Sequence, residues 1–141
     1  MGRRTVPGAV DVRVEAWAPT REECVAEAVA AVVESFADRG DLTDMSAKSR
    51  ATEVVFQADP GSDEDLLVDV LEEVIYLVEV AGQVPLATEV VAAGNGLQVR
   101  FQVTDAGLAD PLGQVPKVVS FHGLRIGPGE SGWSCAVTLN R

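Results

Sequence analysis

The sequence predicts an α+β fold, and three features of the 141-residue chain indicate it. Two segments carry apolar residues at helical spacing directly after a capping residue. Several shorter segments alternate apolar and polar residues, as half-buried strands do. The strands of the C-terminal half follow one another without a helix between them, which is typical of antiparallel pairing. We therefore predict a two-layer sandwich in the order β-α-β-α-β-β-β-β, with two helices on one face of a mostly antiparallel sheet.

The first strand and the first helix are predicted from residues 9–36. Between residues 9 and 17, valine and alanine alternate with polar or aromatic residues, which predicts a half-buried strand. Thr20, with Glu23 three residues later, fits a capping box. The apolar residues that follow recur every three or four positions up to Phe36, which predicts an amphipathic helix. Gly40 is a residue type that commonly ends a helix.

The second strand and the second helix repeat this arrangement. Thr52–Ala58 is short and rich in valine and phenylalanine, and residues 59–61 form a turn sequence after it. Ser62, followed by Asp65, provides a second helix cap. A wide apolar stripe then runs over residues 66–78 and predicts a helix that ends near Gly82.

Four strands are predicted in the remainder of the chain, at residues 86–92, 97–103, 117–126 and 133–139. Between the first two stands Asn95-Gly96, the dipeptide favoured in a two-residue type I′ turn, which predicts an antiparallel hairpin. The last two are separated by a glycine- and proline-containing turn. The chain therefore ends in antiparallel strands.

Composition limits the functions open to the chain. Asp and Glu number 22 against 11 Lys and Arg, giving a formal net charge of -11, and 47% of the residues are hydrophobic. A chain of this length buries enough apolar surface to fold as a single domain, residues 1–141. Direct binding of DNA or RNA is not expected, because so acidic a protein repels a polyanion.

The same sequence predicts a cytoplasmic protein. No apolar run reaches the ~18 residues that a membrane-spanning helix needs, and no hydrophobic region follows the basic start. Cys24 lies in a predicted helix and Cys135 in a predicted strand, far from any C-x-x-C pattern. Both are therefore expected to be reduced thiols in the core.

Two sets of residues could carry chemistry. His122 is the single histidine, and neither a G-x-S-x-G nucleophile motif nor a phosphate-binding glycine motif accompanies it. Asp11 lies inside the first predicted strand, near the start of the chain, and Asn140 lies at the end of the last predicted strand. If these strands are neighbours, their side-chain oxygens and the terminal carboxylate of Arg141 can converge on a hard cation. The simpler interpretation of Asp11 is a polar strand residue.

Four blocks of the chain resemble the archease family. Residues 9–14 resemble H-T-A-D-V-G-I/V, and residues 72–77 resemble the helix N-E-L-L-Y-L. Residues 117–124, K-V-V-S-F-H-G-L, resemble K-A-V-T-Y-H-G-L and form the most specific block. Residues 133–140 resemble a closing strand that ends in V-I-L-D-I. The blocks keep the family's order over nearly the whole chain.

The resemblance implies a small acidic α+β protein that is not itself an enzyme. Archeases assist the GTP- and metal-dependent RNA ligase of tRNA splicing and RNA repair, and they promote its guanylylation and multiple turnover. The family's metal site uses an Asp of the first block and an Asp near the C-terminus, which correspond to Asp11 and Asn140. Lys117 and His122 of the third block would then lie at an edge that contacts the partner.

Several positions depart from the family pattern. Gly8 stands in place of His, Ala9 of Thr, Ser120 of Thr, Phe121 of Tyr, and Asn140 of Asp. An amide oxygen can ligate Ca²⁺, Mg²⁺ or Mn²⁺ but brings no charge, so we expect any divalent ion to be held weakly. Two alternatives stay open. One is an acidic, chaperone-like modulator of another RNA-modifying enzyme, and the other is a small hydrolase that uses His122 with Asp11 or Asp110.

Overall fold

The described residues form two antiparallel sheets and two helices. The computed structural model describes residues 1–8, 10–37, 51–105 and 115–140. Within these ranges the elements are β1 Gly2–Pro7, β2 Asp11–Ala18, α1 Arg21–Glu34, β3 Thr52–Ala58, α2 Asp63–Glu79, β4 Gln83–Ala93, β5 Gly96–Asp105, β6 Val118–Gly129 and β7 Gly132–Asn140. The α+β class and the largely antiparallel strands are confirmed.

Both helices begin at the predicted caps. The Thr20 hydroxyl oxygen accepts the Glu23 backbone N–H at 3.1 Å and donates to the Glu23 carboxylate at 3.0 Å. The Ser62 hydroxyl oxygen accepts the Asp65 backbone N–H in the same way, at 3.1 Å. These bonds satisfy N–H groups that have no partner inside the helix. At the other end, α2 stops just before Gly82, which has a φ of +66°. Gly40, the predicted end of the first helix, lies outside the described residues.

The strands are divided between two sheets rather than forming one. The four-stranded sheet has the order β1-β2-β7-β6, and the three-stranded sheet has the order β3-β5-β4. Helix α1 packs against β1, β2 and β7 of the first sheet and against β4 of the second. Helix α2 packs against β6 and against all three strands of the second sheet. Each helix therefore contacts both sheets, and the core lies between these layers.

β1 is a strand that the sequence pattern did not predict. It pairs antiparallel with β2 at the edge of the four-stranded sheet, where charged residues and Pro7 are tolerated. The Arg3 guanidinium holds it against α1 by hydrogen bonds to Glu27 at 2.6 Å and to both carboxylate oxygens of Glu34. Backbone pairing with β2 and ion pairs to α1, rather than local apolar alternation, therefore position this strand.

The turn between β4 and β5 also differs from the prediction. Ala93 pairs with Gly96, so Gly94 and Asn95 are the two loop residues. Gly94 has a φ of +61°, and no described non-glycine residue has a positive φ. A type I′ turn needs positive φ at both central residues, whereas a type II′ turn needs it only at the first. Gly96 is instead the first residue of β5, and glycine is required there because a Cβ would collide with the carbonyl oxygen of Ala58.

The four-stranded sheet has one face against the helices and one outer face. Strand β2 shows the predicted alternation, and β7 brings Val137 and Leu139 to the buried side. The buried residues of β2 are Val12, Val14, Ala16 and Ala18, and the outward residues are Asp11, Arg13, Glu15 and Trp17. No helix within the described ranges is long and apolar enough to cross a membrane.

The two cysteines lie inside this core and are free thiols, as expected. Cys24 in α1 donates weakly to the carbonyl oxygen of Ala16, with a sulfur–oxygen distance of 3.7 Å. A hydrogen bond with Cys24, together with burial, raises the pKa of the Cys135 thiol. Cys135 is therefore protonated and unreactive in the folded protein.

Candidate functional site

The structure brings Asp11 and Asn140 together from the two ends of the chain. β2 pairs antiparallel with β7, and in this register Asp11 lies directly opposite Asn140. Directly opposed residues project to the same face of a sheet with their Cβ atoms about 5 Å apart. Asp11 is half-buried, Asn140 is exposed, and the neighbours Val12 and Leu139 are buried. We call this pair, on the outer face of the four-stranded sheet, the Asp11–Asn140 corner.

Gly8 shapes the position of the Asp11 carboxylate. The Gly8 backbone N–H donates to the Asp11 carbonyl oxygen at 2.8 Å, which closes the turn that leads into β2. A Cβ at position 8 would collide with the Asp11 carboxylate oxygen Oδ1. The carboxylate therefore occupies space that is open only because residue 8 is glycine. Any larger residue at this position requires Asp11 to rotate away.

β6 flanks the corner on its other side. Val118 is the register partner of Asn140, and the Lys117 backbone N–H donates to the Asn140 carbonyl oxygen at 2.8 Å. The Lys117 side chain is exposed. Lys117 thus lies beside the corner, and its predicted role as a partner contact stays a prediction.

His122 lies further along β6, away from the corner. The register of β6 with β7 shifts between Ser120 and Arg125, and His122 lies within this irregular stretch. Its backbone N–H donates to the Ser120 hydroxyl oxygen at 3.2 Å, and the residue is exposed. No hydrogen bond or ion pair joins His122 to Asp11 among the described residues. Asp110 and Arg141 lie outside the described residues, so the predicted roles of both stay predictions.

Arg13 is a residue of this surface that the sequence analysis did not single out. It points to the outer face two positions after Asp11, and its register partner on β7 is Thr138. Its guanidinium reaches across to β6, where a Cβ on Gly123 would lie 3.3 Å from Arg13 Nη1. Apolar and polar residues alternate along β2, which places Arg13 on the same face as Asp11. This alternation could have identified Arg13 from the sequence. The Arg13 guanidinium is directed towards β6, whereas the Asp11 carboxylate lies by Gly8.

The donors at the corner suit a hard cation in kind but supply little charge. Asp11 offers carboxylate oxygens and Asn140 an amide oxygen, and such oxygens are the ligands that Ca²⁺ and Mg²⁺ prefer. In the part of the chain that the structure describes, no three His, Cys, Asp or Glu side chains are grouped to hold a metal ion. The corner therefore offers a cation two side-chain oxygen donors, of which only Asp11 is charged.

The fold and this corner define a small α+β domain whose candidate site lies on the open face of a four-stranded antiparallel sheet. The model of the archease protein family (MTH1598/TM1083) matches residues 4–140. A protein of Mycobacterium tuberculosis named "Probable protein archease" is 44% identical over 139 residues, which are 99% of this chain and 74% of that protein. This chain therefore belongs to the archease family.

Two solved structures share the fold. Protein 1598 of Methanobacterium thermoautotrophicum superposes with a TM-score of 0.68 at 18% identity, over 99% of both chains. An archease of Thermotoga maritima, described as a possible chaperone, gives a TM-score of 0.65 at 18% identity, over 98% of this chain and 96% of that one. At this identity the likeness supports the architecture alone.

Proposed function

We propose that this protein is a non-enzymatic accessory factor of a GTP- and metal-dependent RNA ligase, whose guanylylation and turnover it promotes. One observation carries the proposal: in a chain that belongs to the archease family, the register of β2 and β7 places Asp11 opposite Asn140. These are the two positions that the family resemblance assigned to its metal site. The acidic surface is consistent with a basic protein partner.

In this proposal the corner acts by contact with the ligase. Asp11 supplies the charged group, and its carboxylate is turned towards Gly8 at the end of the sheet. Asn140 can both donate and accept hydrogen bonds through its amide. Lys117, which directly precedes β6, and His122 within β6 are both exposed and would provide further contacts to the ligase.

A divalent ion is the cofactor that this donor set would hold. Asp11 and Asn140 would ligate it through oxygen, and backbone carbonyls or water would complete the coordination. When bound, such an ion supplies positive charge and Lewis acidity for phosphate groups. The protein's own part is to position it, and one carboxylate with one amide holds it weakly.

The test is multiple-turnover RNA ligation by the purified ligase of the same organism, with GTP and divalent ion present and the ligase limiting. We expect the ligase alone to stop after a single turnover and to continue when this protein is added. Turnover that is unchanged by the wild-type protein would refute the proposal.

Two variants show whether the corner is responsible. Asp11→Asn removes the charge and keeps the shape, and we expect it to lose most of the stimulation. Glu89→Gln is the matched control, because Glu89 is an exposed strand carboxylate in the other sheet. Equal stimulation by Asp11→Asn and wild type would remove Asp11 from the mechanism.

A second candidate function is an acidic, chaperone-like modulator of a different basic enzyme. The net charge of -11 favours it, because an acidic surface attracts a basic partner in a salt-dependent way. Affinity capture from cell extract at low and raised salt separates the candidates. Recovery of the RNA ligase supports the first, and recovery of another RNA-modifying enzyme without the ligase supports the second.

A further inference from the structure

A groove of about 470 Å³ lies between α2 and the start of β6, and its apolar lining is exposed. Tyr76, Val80 and Val118 line it and are 52%, 69% and 56% exposed. Single exposed apolar residues are normal on a protein surface, but three that line one groove form a patch typical of binding sites. We call it the α2–β6 groove.

The groove is a consequence of how α2 meets an edge strand. The inward face of α2 is fully packed, with Leu71, Val74 and Leu77 buried. Tyr76 and Val80 lie on the flank of the helix and extend over β6, the last strand of its sheet. Since β6 has no strand on its outer edge in the described fold, the groove is open along that side.

Three charged residues line the groove, and two of them, Glu72 and Glu79, are negative, while the third is Lys117. Glu72, Tyr76 and Val80 follow one another at helical spacing on one stripe of α2. Neither glutamate takes part in an ion pair among the described residues. Arg3 and Arg21, by contrast, are already paired with acidic residues elsewhere. A partner segment with lysine or arginine is therefore complementary to the two free carboxylates.

The groove is continuous with the Asp11–Asn140 corner. Val118 belongs to the groove and is also the register partner of Asn140. Lys117 lines the groove, and its backbone N–H is bonded to the Asn140 carbonyl oxygen. A segment bound in the groove would therefore bring its own protein directly against the corner.

We propose that the α2–β6 groove binds a short basic segment of the partner ligase, with an apolar side chain inserted against Tyr76, Val80 and Val118. This inference rests on the function proposed above and assigns separate roles to the groove and the corner. The groove supplies affinity through apolar contact and charge, and the corner acts on the ligase once it is bound.

The test measures binding and turnover separately, with the purified ligase as the probe. The double variant Tyr76→Ala/Val80→Ser should raise the Kd for the ligase by at least about tenfold. At saturating concentration the variant should still restore turnover, because its corner is intact. Asp11→Asn should behave in the opposite way, with a near wild-type Kd and lost turnover. Glu72→Lys/Glu79→Lys should weaken binding most at low salt.

Val55→Ser is the matched control, because Val55 is 53% exposed on the other sheet. If the Tyr76/Val80 variant binds the ligase with wild-type affinity and has an unchanged melting temperature, the groove is not the ligase-binding site. The proposed function would still stand. A wild-type protein that neither binds nor stimulates the ligase would overturn both. Self-association of the wild type that these variants abolish would assign the groove to a second copy of the chain and overturn the ligase segment.

Discussion

Asn140→Asp should convert the corner from a weak to a stronger cation site. The change places a second carboxylate directly opposite Asp11 in the β2–β7 pair. Without a cation, two like charges about 5 Å apart repel by about 0.8 kcal/mol in the dielectric of water. We therefore expect the variant to be slightly less stable than the wild type when a chelator is present.

A divalent cation should make the Asn140→Asp variant more stable than the wild type. At a ligand distance of about 2.4 Å, a 2+ ion and a carboxylate attract by about 3.5 kcal/mol in the dielectric of water. Desolvation and the repulsion from Asp11 oppose this attraction, so we expect a net gain of about 2 kcal/mol, or about 30-fold in Kd. A ligand at ten times its Kd raises the free energy of unfolding by about 1.4 kcal/mol.

Two measurements check the prediction. Titration calorimetry with Ca²⁺, Mg²⁺ and Mn²⁺ gives the Kd of each protein. Thermal unfolding with a chelator and with each ion gives the change in stability. The double variant Asp11→Asn/Asn140→Asp is the control, because it moves the single carboxylate across the strand pair without changing the charge.

If charge count governs the corner, this control should bind about as weakly as the wild type. If the cations stabilise the Asn140→Asp variant no more than they stabilise the wild type, the corner is not a cation site. A tight wild-type Kd would instead show that donors other than these two side chains supply the charge.

Three further predictions concern the fold. Gly94→Ala should lower the free energy of unfolding by about 1 kcal/mol, because alanine disfavours the positive φ at that position. Gly96→Ala should lower it further, because the Cβ at position 96 meets the Ala58 carbonyl oxygen. Chemical denaturation measures both losses, and equal losses would contradict the steric argument. Arg3→Met should cost about 1–2 kcal/mol by removing the ion pairs to α1 and should speed hydrogen exchange in β1 above all. Cys24 and Cys135 should resist alkylation in the native protein at mildly alkaline pH, because both are buried. The raised pKa of the Cys135 thiol also keeps it protonated. Stoichiometric labelling without unfolding would disprove this.

The helices were predictable because their signals are local. Each cap residue and the backbone N–H that it accepts lie three positions apart, and the apolar stripe of α2 can be read directly from the chain. The alternation of β2 was local in the same sense. These elements follow from near neighbours in the sequence, so the prediction of two capped helices and of β2 is confirmed.

The features that differed depend on distant partners. β1 has little apolar alternation and is held by Arg3 against α1. β4 begins at Gln83 rather than at the predicted residue 86, and it includes Pro85 beside a register shift, which an edge strand tolerates. The division into two sheets is set by which strands pair, which no single segment encodes. The turn lies at Gly94 and Asn95, one residue earlier than predicted, because Gly96 is needed where the backbone passes close to Ala58.

The candidate site was predictable in part. Asp11 and Asn140 could be named from their odd positions and from the family resemblance, but their adjacency depended on β2 pairing with β7. Arg13 was overlooked, although it shares the outer face with Asp11. The groove could not be predicted, because its lining comes from two elements whose relative position only the fold determines.

The central position of β7 has a consequence for biosynthesis. β7 lies between β2 and β6, yet it is translated after both of them. The three-stranded sheet and its hairpin can assemble while translation continues, whereas β2 and β6 must wait with unpaired edges for the strand that joins them. The Asp11–Asn140 corner is therefore completed only after β7 has been translated, so a nascent or truncated chain that lacks β7 would offer a partner no corner at all.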